Sequence, residues 1–305
     1  TRSLLFNTFP YIVLTRNAPE LKPRLLLDED PILMEGLHTT FLLNDPAFAR
    51  RITVVRTHNV EHDYYNNLAR VEKNIFKRYY FYNEAGKLQK YESVLQKASA
   101  IAAISPSDTA HFMHSYKQVH YITAFHPFEK VEVKPGKGDF AFYHGNLSVG
   151  ENNEAALYLV EKIFNDLPFP LLVAGNKPSP ELVRAVKASR NVTLRDDLSH
   201  HEIEKLIATA QCNVLPTFQS TGIKLKLLAA LYCGRTCIVN TPMVINTGLE
   251  SLCIIADSAE EMKQQIRNTM NGGSFDPREI KKRNEILLRD FSNKAGAAKL
   301  LHCLS

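Results

Sequence analysis

None of the five cysteines pairs with another at C-x-x-C spacing. Cys212, Cys233, Cys237, Cys253 and Cys303 sit mostly in apolar runs, so they read as reduced core residues and favour a reducing compartment. No apolar run approaches the roughly 18 residues a spanning helix needs, and no stretch has the pattern of a signal peptide. A cytoplasmic protein, peripheral at most on the inner face of a membrane, is therefore expected. Internal repeats and low-complexity tracts are missing, which argues against a repeat architecture. A strong charge bias is missing too. Lys and Arg number 37 against 32 Asp and Glu, a net charge of +5. That suits anionic small molecules or an anionic membrane surface, and it is too small and dispersed for nucleic acid. An initiating Met is also absent, and Thr1-Arg2-Ser3 reads as a start within a domain.

What is present is a chain of 305 residues, 45% hydrophobic, long enough for two domains with large cores. Strand-like runs alternate with helical stretches. Strands are expected at 31–34, 51–56, 98–104 and 119–123, with a long helical stretch over 61–97. Ser105-Pro106-Ser107-Asp108 reads as a helix start, with Ser105 at N-cap and Pro106 at N1. The segment from Phe125 to Gly138 is rich in Pro, Gly and charge and reads as a linker. Beyond it strands are expected at 140–144, 171–174, 192–194, 212–216, 237–239 and 253–256, with helices between them. Asn152-Asn153-Glu154 and His200-His201 both read as helix caps. Strands alternating with helices of this length form parallel sheets covered on both faces. The expected division is 1–133, 134–275, and 276–305 as C-terminal helices packing back on the first domain. Ligands of open α/β sheets bind at the carboxyl ends of the strands.

The richest stretch is Thr221 to Arg235, TGIKLKLLAALYCGR. It lies between two apolar runs, so a helix starting near Gly222 is expected inside a βαβ unit. Free N–H groups at such a helix start bind anions. Gly222 allows close backbone approach, and Lys224 and Lys226 follow it. Two ammonium groups beside free N–H donors suit a diphosphate, although on spacing alone a solvated pair of surface lysines fits as well.

In order along the chain, YHGNLSVGENNEAAL, LLVAGN, VTLRDDLSHHEIEKLIATAQCNVLPT, STGIKLKLLAALYCGRTCIVNT, TGLE and IIAD resemble the donor-binding half of GT-B glycosyltransferases of the family 4 type. EGLHTTFLL, RTHNVEHDYY and AISPSD resemble the acceptor-side half. The resemblance implies an α/β GT-B fold, two Rossmann-like parallel-sheet domains facing a cleft, the first one incomplete because the family's opening Gly-rich strand and loop are not here. It implies transfer of a sugar from a nucleotide-sugar donor to a glycan or lipid-linked acceptor, with retention and without a metal or other cofactor. Gly145 takes the place where backbone meets the donor phosphates. Gly222, Lys224 and Lys226 match the G-[IT]-[KR]-x-K helix start. Leu194 and Arg195 match the edge near the base, and Pro216 and Thr217 the sugar and ribose region. His58 matches a histidine close to the transferred sugar, and Glu35 and His38 lie on the same side of that sheet.

Several positions depart from the pattern. The two glutamates that family 4 enzymes carry eight positions apart read Thr221 and Ala229 here. The loop from Asn146 to Asn152 has no cation where relatives have Arg and Lys, so Lys224 and Lys226 are expected to carry the charge, Lys226 above all. A non-catalytic binding protein of the same fold is the second reading. His58-Asn59-Val60-Glu61-His62 is also literally H-x-x-E-H, a zinc-peptidase pattern that needs both histidines on one helical face. The β-branched run before His58 puts it at a strand end, so metal is not expected there. The basic and aromatic run Lys73, Lys77, Arg78, Tyr79, Tyr80, Phe81 and Tyr82 reads as an amphipathic helix packing its aromatics inward, with a membrane-facing or acceptor-facing surface as the alternative.

Overall fold

The computed structural model describes residues 7–72, 74–218 and 225–305. It forms two compact units. The first comprises the described residues of 7–125 and Asn293–Ser305, and the second those of 126–218 and 225–292.

The first unit is built on a four-stranded parallel sheet in the order β1-β2-β3-β4. Short helices α1 (Tyr11–Leu14) and α2 (Leu21–Leu25) precede it. The strands are β1 (Ile32–Glu35), β2 (Thr53–Thr57), β3 (Ala100–Ala103) and β4 (Val119–Tyr121). Between them lie α3 (Glu61–Val71), α4 (Ile75–Tyr91), a 3-10 turn over Glu92–Lys97, and α5 (Pro106–Ser115). Ile32, Met34, Val55 and Ile101 point to one core with Leu88, Leu95 and Phe112. Val54, Ala100 and Ala102 point to the other face, as alternation in a doubly covered sheet requires. Ser105 caps α5 by accepting from Asp108 N at 3.1 Å.

The second unit carries a six-stranded parallel sheet in the order β10-β9-β8-β5-β6-β7. Its elements run β5 (Ala141–His144), α6 (Gly150–Tyr158), β6 (Leu171–Ala174), α7 (Pro180–Ala188), β7 (Val192–Arg195), α8 (His200–Thr209), β8 (Cys212–Leu215), α9 (Leu225–Cys233), β9 (Thr236–Val239), α10 (Thr241–Val244), β10 (Ile254–Ile255), α11 (Ala259–Asn271) and α12 (Pro277–Asp290). A π turn over Leu159–Ile163 prolongs α6. Strand order reverses between β5 and β8, and such a reversal opens a crevice at the strand ends. Capping boxes at Ser199–Glu202 and Ser258–Glu261 start α8 and α11.

The division differs from the sequence expectation of 1–133, 134–275 and 276–305. It falls after Phe125, because the Pro- and Gly-rich segment is strapped to the second unit. His126 stacks on Phe128, packs tilted against Tyr232 and bonds Phe291 O at 2.7 Å. Gly138 N donates to Gln211 Oε1, and Arg235 to Pro135 O. The C-terminal helices split. The buried Arg283 of α12 donates to the carbonyls of Leu231, Gly234 and Arg235 in the second unit. The last helix, α13 (Asn293–Cys303), buries Leu300 against Ile122 and Ala102 of the first. The aromatics of α4 differ too. Phe76, Tyr79 and Tyr82 are exposed, Phe76 by 80%, while Tyr80 and Phe81 are half-buried.

Candidate functional site

The carboxyl end of the second sheet gathers most of the candidate donor residues. β5 ends at His144, and the chain turns through Gly145 and Asn146 into α6. Gly145 N donates to Ala174 O at 3.1 Å, and Gly175 N to Arg195 O at 3.0 Å, so three strand ends are laced together. A cavity of about 460 Å³ opens over them, with His144, Gly145, Asn146, Gly175, Lys177 and His200 in its lining. α6 begins without a side-chain cap, which leaves its first N–H groups to the backbone or a ligand.

Lys226 reaches this loop from the first turn of α9. Its ammonium donates to Asn152 Oδ1 at 2.6 Å and lies 5.3 Å from the Tyr143 ring centroid. Asn152 Nδ2 in turn donates to Asn146 O at 3.0 Å. The loop lacks a cation of its own, and Lys226 brings one to it across 74 residues of chain. Asn152 is therefore no cap; Val149 holds the N-cap position, and Asn152 lies in the first turn. Gly222 and Lys224, with Thr221, lie outside the described residues.

His144 is buried, stacks on Phe142 and has no hydrogen-bond partner at Nε2. Burial first, then the nearby Lys226, push its pKa down to about 3. The unfolded chain takes up this proton near pH 6.5 and the folded chain does not, so stability is full above pH 6.5 and falls as pH drops toward 3. Between pH 6.5 and 5 this one group should cost about 2 kcal/mol. Urea unfolding at the two pH values should show it, and His144→Gln should flatten that part of the profile. An unchanged slope in the variant would refute the assignment.

Two expected ligand positions take other roles. Thr217 is fully buried, and its hydroxyl donates to Glu151. Its N–H and carbonyl pair with the Asn240 side chain at 2.9 and 2.7 Å. It therefore ties β8 to α6 and β9 and does not present its hydroxyl to a ribose. Pro216 is buried beside it. Leu194 and Arg195 sit on the edge strand β7, and Leu198, beyond the strand end, lines the cavity instead.

In the first unit Glu35, His38 and His58 come together at the ends of β1 and β2. Glu35 faces Arg56 in the register of the two strands. Its carboxylate accepts from Arg56 Nη1 at 3.2 and 3.3 Å and is 2.9 Å from His58 Nε2. The His38 and His58 rings lie 6.3 Å apart. Burial, helped by Arg16 and His58, lowers the His38 pKa. Gly36 has φ 90°, and a Cβ there would lie 2.5 Å from the His38 ring, so glycine is required for this arrangement. His58 thus projects from a strand end and is tied to Glu35, whereas His62 lies inside α3 and faces Glu92 and His111. The two histidines of HNVEH do not converge, and the peptidase reading falls with them.

Sequence reasoning missed His144, Lys177 and the Lys226–Asn152 pair. His144 stands in the quoted HGN run, and its burial at a strand end was the available signal. Lys177 has φ 55°, and nothing in its neighbours marks it as cavity-lining.

Residues 140–271 match the family described as Glycosyl transferases group 1. Over this stretch the chain is similar to that family. The matched span starts just before β5 and closes with α11, so it holds the whole six-stranded sheet. An uncharacterized 44.6 kDa protein in the cps region of Klebsiella pneumoniae is 23% identical over 233 residues, 73% of this chain. The chain spans 58% of that relative's length. Sucrose-phosphate synthase from Thermosynechococcus elongatus matches with a TM-score of 0.68 and 16% identity, over 99% of this chain and 78% of that one. A mutant of TarM from S. aureus, crystallised with fondaparinux, alpha-GlcNAc-glycerol and UDP, matches with a TM-score of 0.60 and 12% identity, over 90% and 55%. At these identities the structural likeness establishes the GT-B fold class of the two sheets and leaves substrates open.

Proposed function

We propose that the protein is a glycosyltransferase moving a sugar from a nucleotide-sugar donor to a glycan or lipid-linked acceptor, with retention and with no metal at the diphosphate. The observation that carries this reading is Lys226, held over the Gly145 loop by Asn152 at the start of an uncapped helix. A preorganised cation and helix N–H groups stabilise charge that builds on a departing diphosphate. Lys177 lines the cavity at the strand ends and supplies a cation there. The UDP in the TarM complex makes uridine nucleotides the first donors to try, and the cps-region relative supports polysaccharide synthesis as the setting. No helix among the described residues is long and apolar enough to cross a membrane. The exposed Ile75, Phe76, Tyr79 and Tyr82 beside Lys77 and Arg78 support peripheral contact with the anionic inner face of a membrane, which cosedimentation with anionic vesicles tests.

His58 is the histidine that meets the sugar in this reading, and Glu35 orients it. His58→Ala should lower kcat for nucleoside-diphosphate release by about 10- to 100-fold with little change in Tm, since small misplacements at a reacting centre cost that much. Glu35→Ala should act in the same direction through the loosened ring. A kcat unchanged in both variants would remove His58 from the reaction. Ala229, which offers no side-chain hydrogen bond where the family has glutamate, favours a non-catalytic binding protein as the second reading. Saturable donor binding with no nucleoside-diphosphate release in the wild type, across donors and acceptors, would select it.

A further inference from the structure

Three titratable side chains meet in the first unit, away from Glu35 and His58. His62 stands in the first turn of α3, Glu92 opens the 3-10 turn after α4, and His111 lies within α5. Glu92 Oε1 is 3.0 Å from His111 Nε2, and Glu92 Oε2 is 3.2 Å from His62 Nδ1. The two imidazole rings are 5.4 Å apart. All three ligand atoms lie within 4.8 Å of one another. His62 is 8% exposed and Glu92 9%, so a carboxylate and an imidazole have left water here. Such groups need compensation by a partner charge or a cation.

The orientation of the atoms is informative. His62 Nδ1 and Glu92 Oε2 are buried and close, yet they are not aligned as donor and acceptor. On the other side of the same ring, His62 Nε2 faces Asp63 Oδ1 at 3.7 Å. That distance is beyond a hydrogen bond, so the pair is a loose contact of charge only. Bonds of about 2.0–2.1 Å in a tetrahedral zinc site put neighbouring ligand atoms roughly 3.4 Å apart. The Glu92 carboxylate comes about that close to each imidazole, through Oε1 to His111 and through Oε2 to His62. Two imidazoles and one carboxylate form the ligand set of zinc sites that keep a fourth position for water, and no thiolate is involved.

We propose that His62 Nδ1, Glu92 and His111 Nε2 bind one divalent transition ion of the zinc type, completed by water, which clamps α3, the 92–97 turn and α5 together. The site shares only His62 with HNVEH. His58 is tied to Glu35 and takes no part, so a metal here implies no peptidase. The sequence led to an expectation of no metal anywhere in the chain, and this proposal departs from it because Glu92 and His111 lie far along the chain from His62.

The test uses the full chain, stripped with a chelator and dialysed, then titrated with Zn²⁺ by calorimetry and with Co²⁺ as the spectroscopic probe. One ion per chain is expected, with the intense visible band of four-coordinate Co²⁺ and a higher Tm at saturating Zn²⁺. Glu92→Gln and His111→Gln should each weaken Zn²⁺ tenfold or more. His58→Gln and the surface change His114→Gln should leave affinity unchanged. Uptake that does not saturate, a Co²⁺ spectrum of the six-coordinate aqua type, or equal affinity in wild type and the two ligand variants would overturn the site. Loss of binding in His58→Gln would overturn it in favour of HNVEH. Should either ligand variant fail to fold, the wild-type Co²⁺ spectrum decides alone.

Discussion

Gly175→Ala is expected to destabilise the second unit by about 3 kcal/mol or more, and to abolish donor binding with it. A Cβ at this position would lie 1.9 Å from Gly145 O and 2.9 Å from Leu147 Cγ. The obstructing atom is backbone and cannot swing aside. Gly145 is held to Ala174, and Gly175 to Arg195, by ladder-like hydrogen bonds, so relief requires moving strand ends apart. Overpacking of fixed backbone belongs to the severe end of single substitutions. The close approach also sets the floor of the 460 Å³ cavity, to which Gly145 and Gly175 both contribute. Gly150→Ala is the control, since a Cβ there meets nothing within 4 Å. Thermal and urea unfolding should separate the two variants clearly. A Gly175→Ala protein as stable as Gly150→Ala would mean that the strand ends are not packed as described.

Lys226→Ala should weaken binding of the donor's nucleoside diphosphate tenfold or more. One charge-assisted contact is worth roughly 1.5–3 kcal/mol, and tenfold corresponds to about 1.4. Lys226 is half-buried and bonded to Asn152, so alanine also releases Asn152 from its position. Lys226→Gln separates the two effects. Glutamine retains a donor for Asn152 and removes the charge. If the charge holds the phosphates, both variants lose affinity by calorimetry. If Lys226 merely braces the loop, Lys226→Gln binds like the wild type, and the lysine leaves the site.

Much of the architecture was legible because strand-forming runs and amphipathic helices alternate at lengths that only parallel, doubly covered sheets accommodate. Ser105 could be placed at its cap because capping depends on neighbours three residues away. The site was less legible because it is made by contacts across long separations. Gly145 and Lys226 were readable as positions in a pattern, but nothing local shows that Asn152 will pair with Lys226 74 residues on. Thr217 was misjudged for the same reason, since its burial depends on Glu151 and Asn240. The domain boundary was misplaced because a Pro- and Gly-rich composition marks flexible linkers and strapped segments alike, and only tertiary contacts such as those of His126 with Tyr232 and Phe291 distinguish them. The inward packing expected for α4 failed at Phe76, Tyr79 and Tyr82 because aromatic content does not say which face a helix buries.

Saturation-transfer NMR with UDP-, GDP- and ADP-sugars tests the donor site most directly. The expected result is transfer to one nucleotide class, displaced by the matching free nucleoside diphosphate and strongly reduced in Lys226→Gln. No transfer to any of the three, or transfer undiminished in Lys226→Gln, would contradict a nucleotide-sugar site at the Gly145 loop.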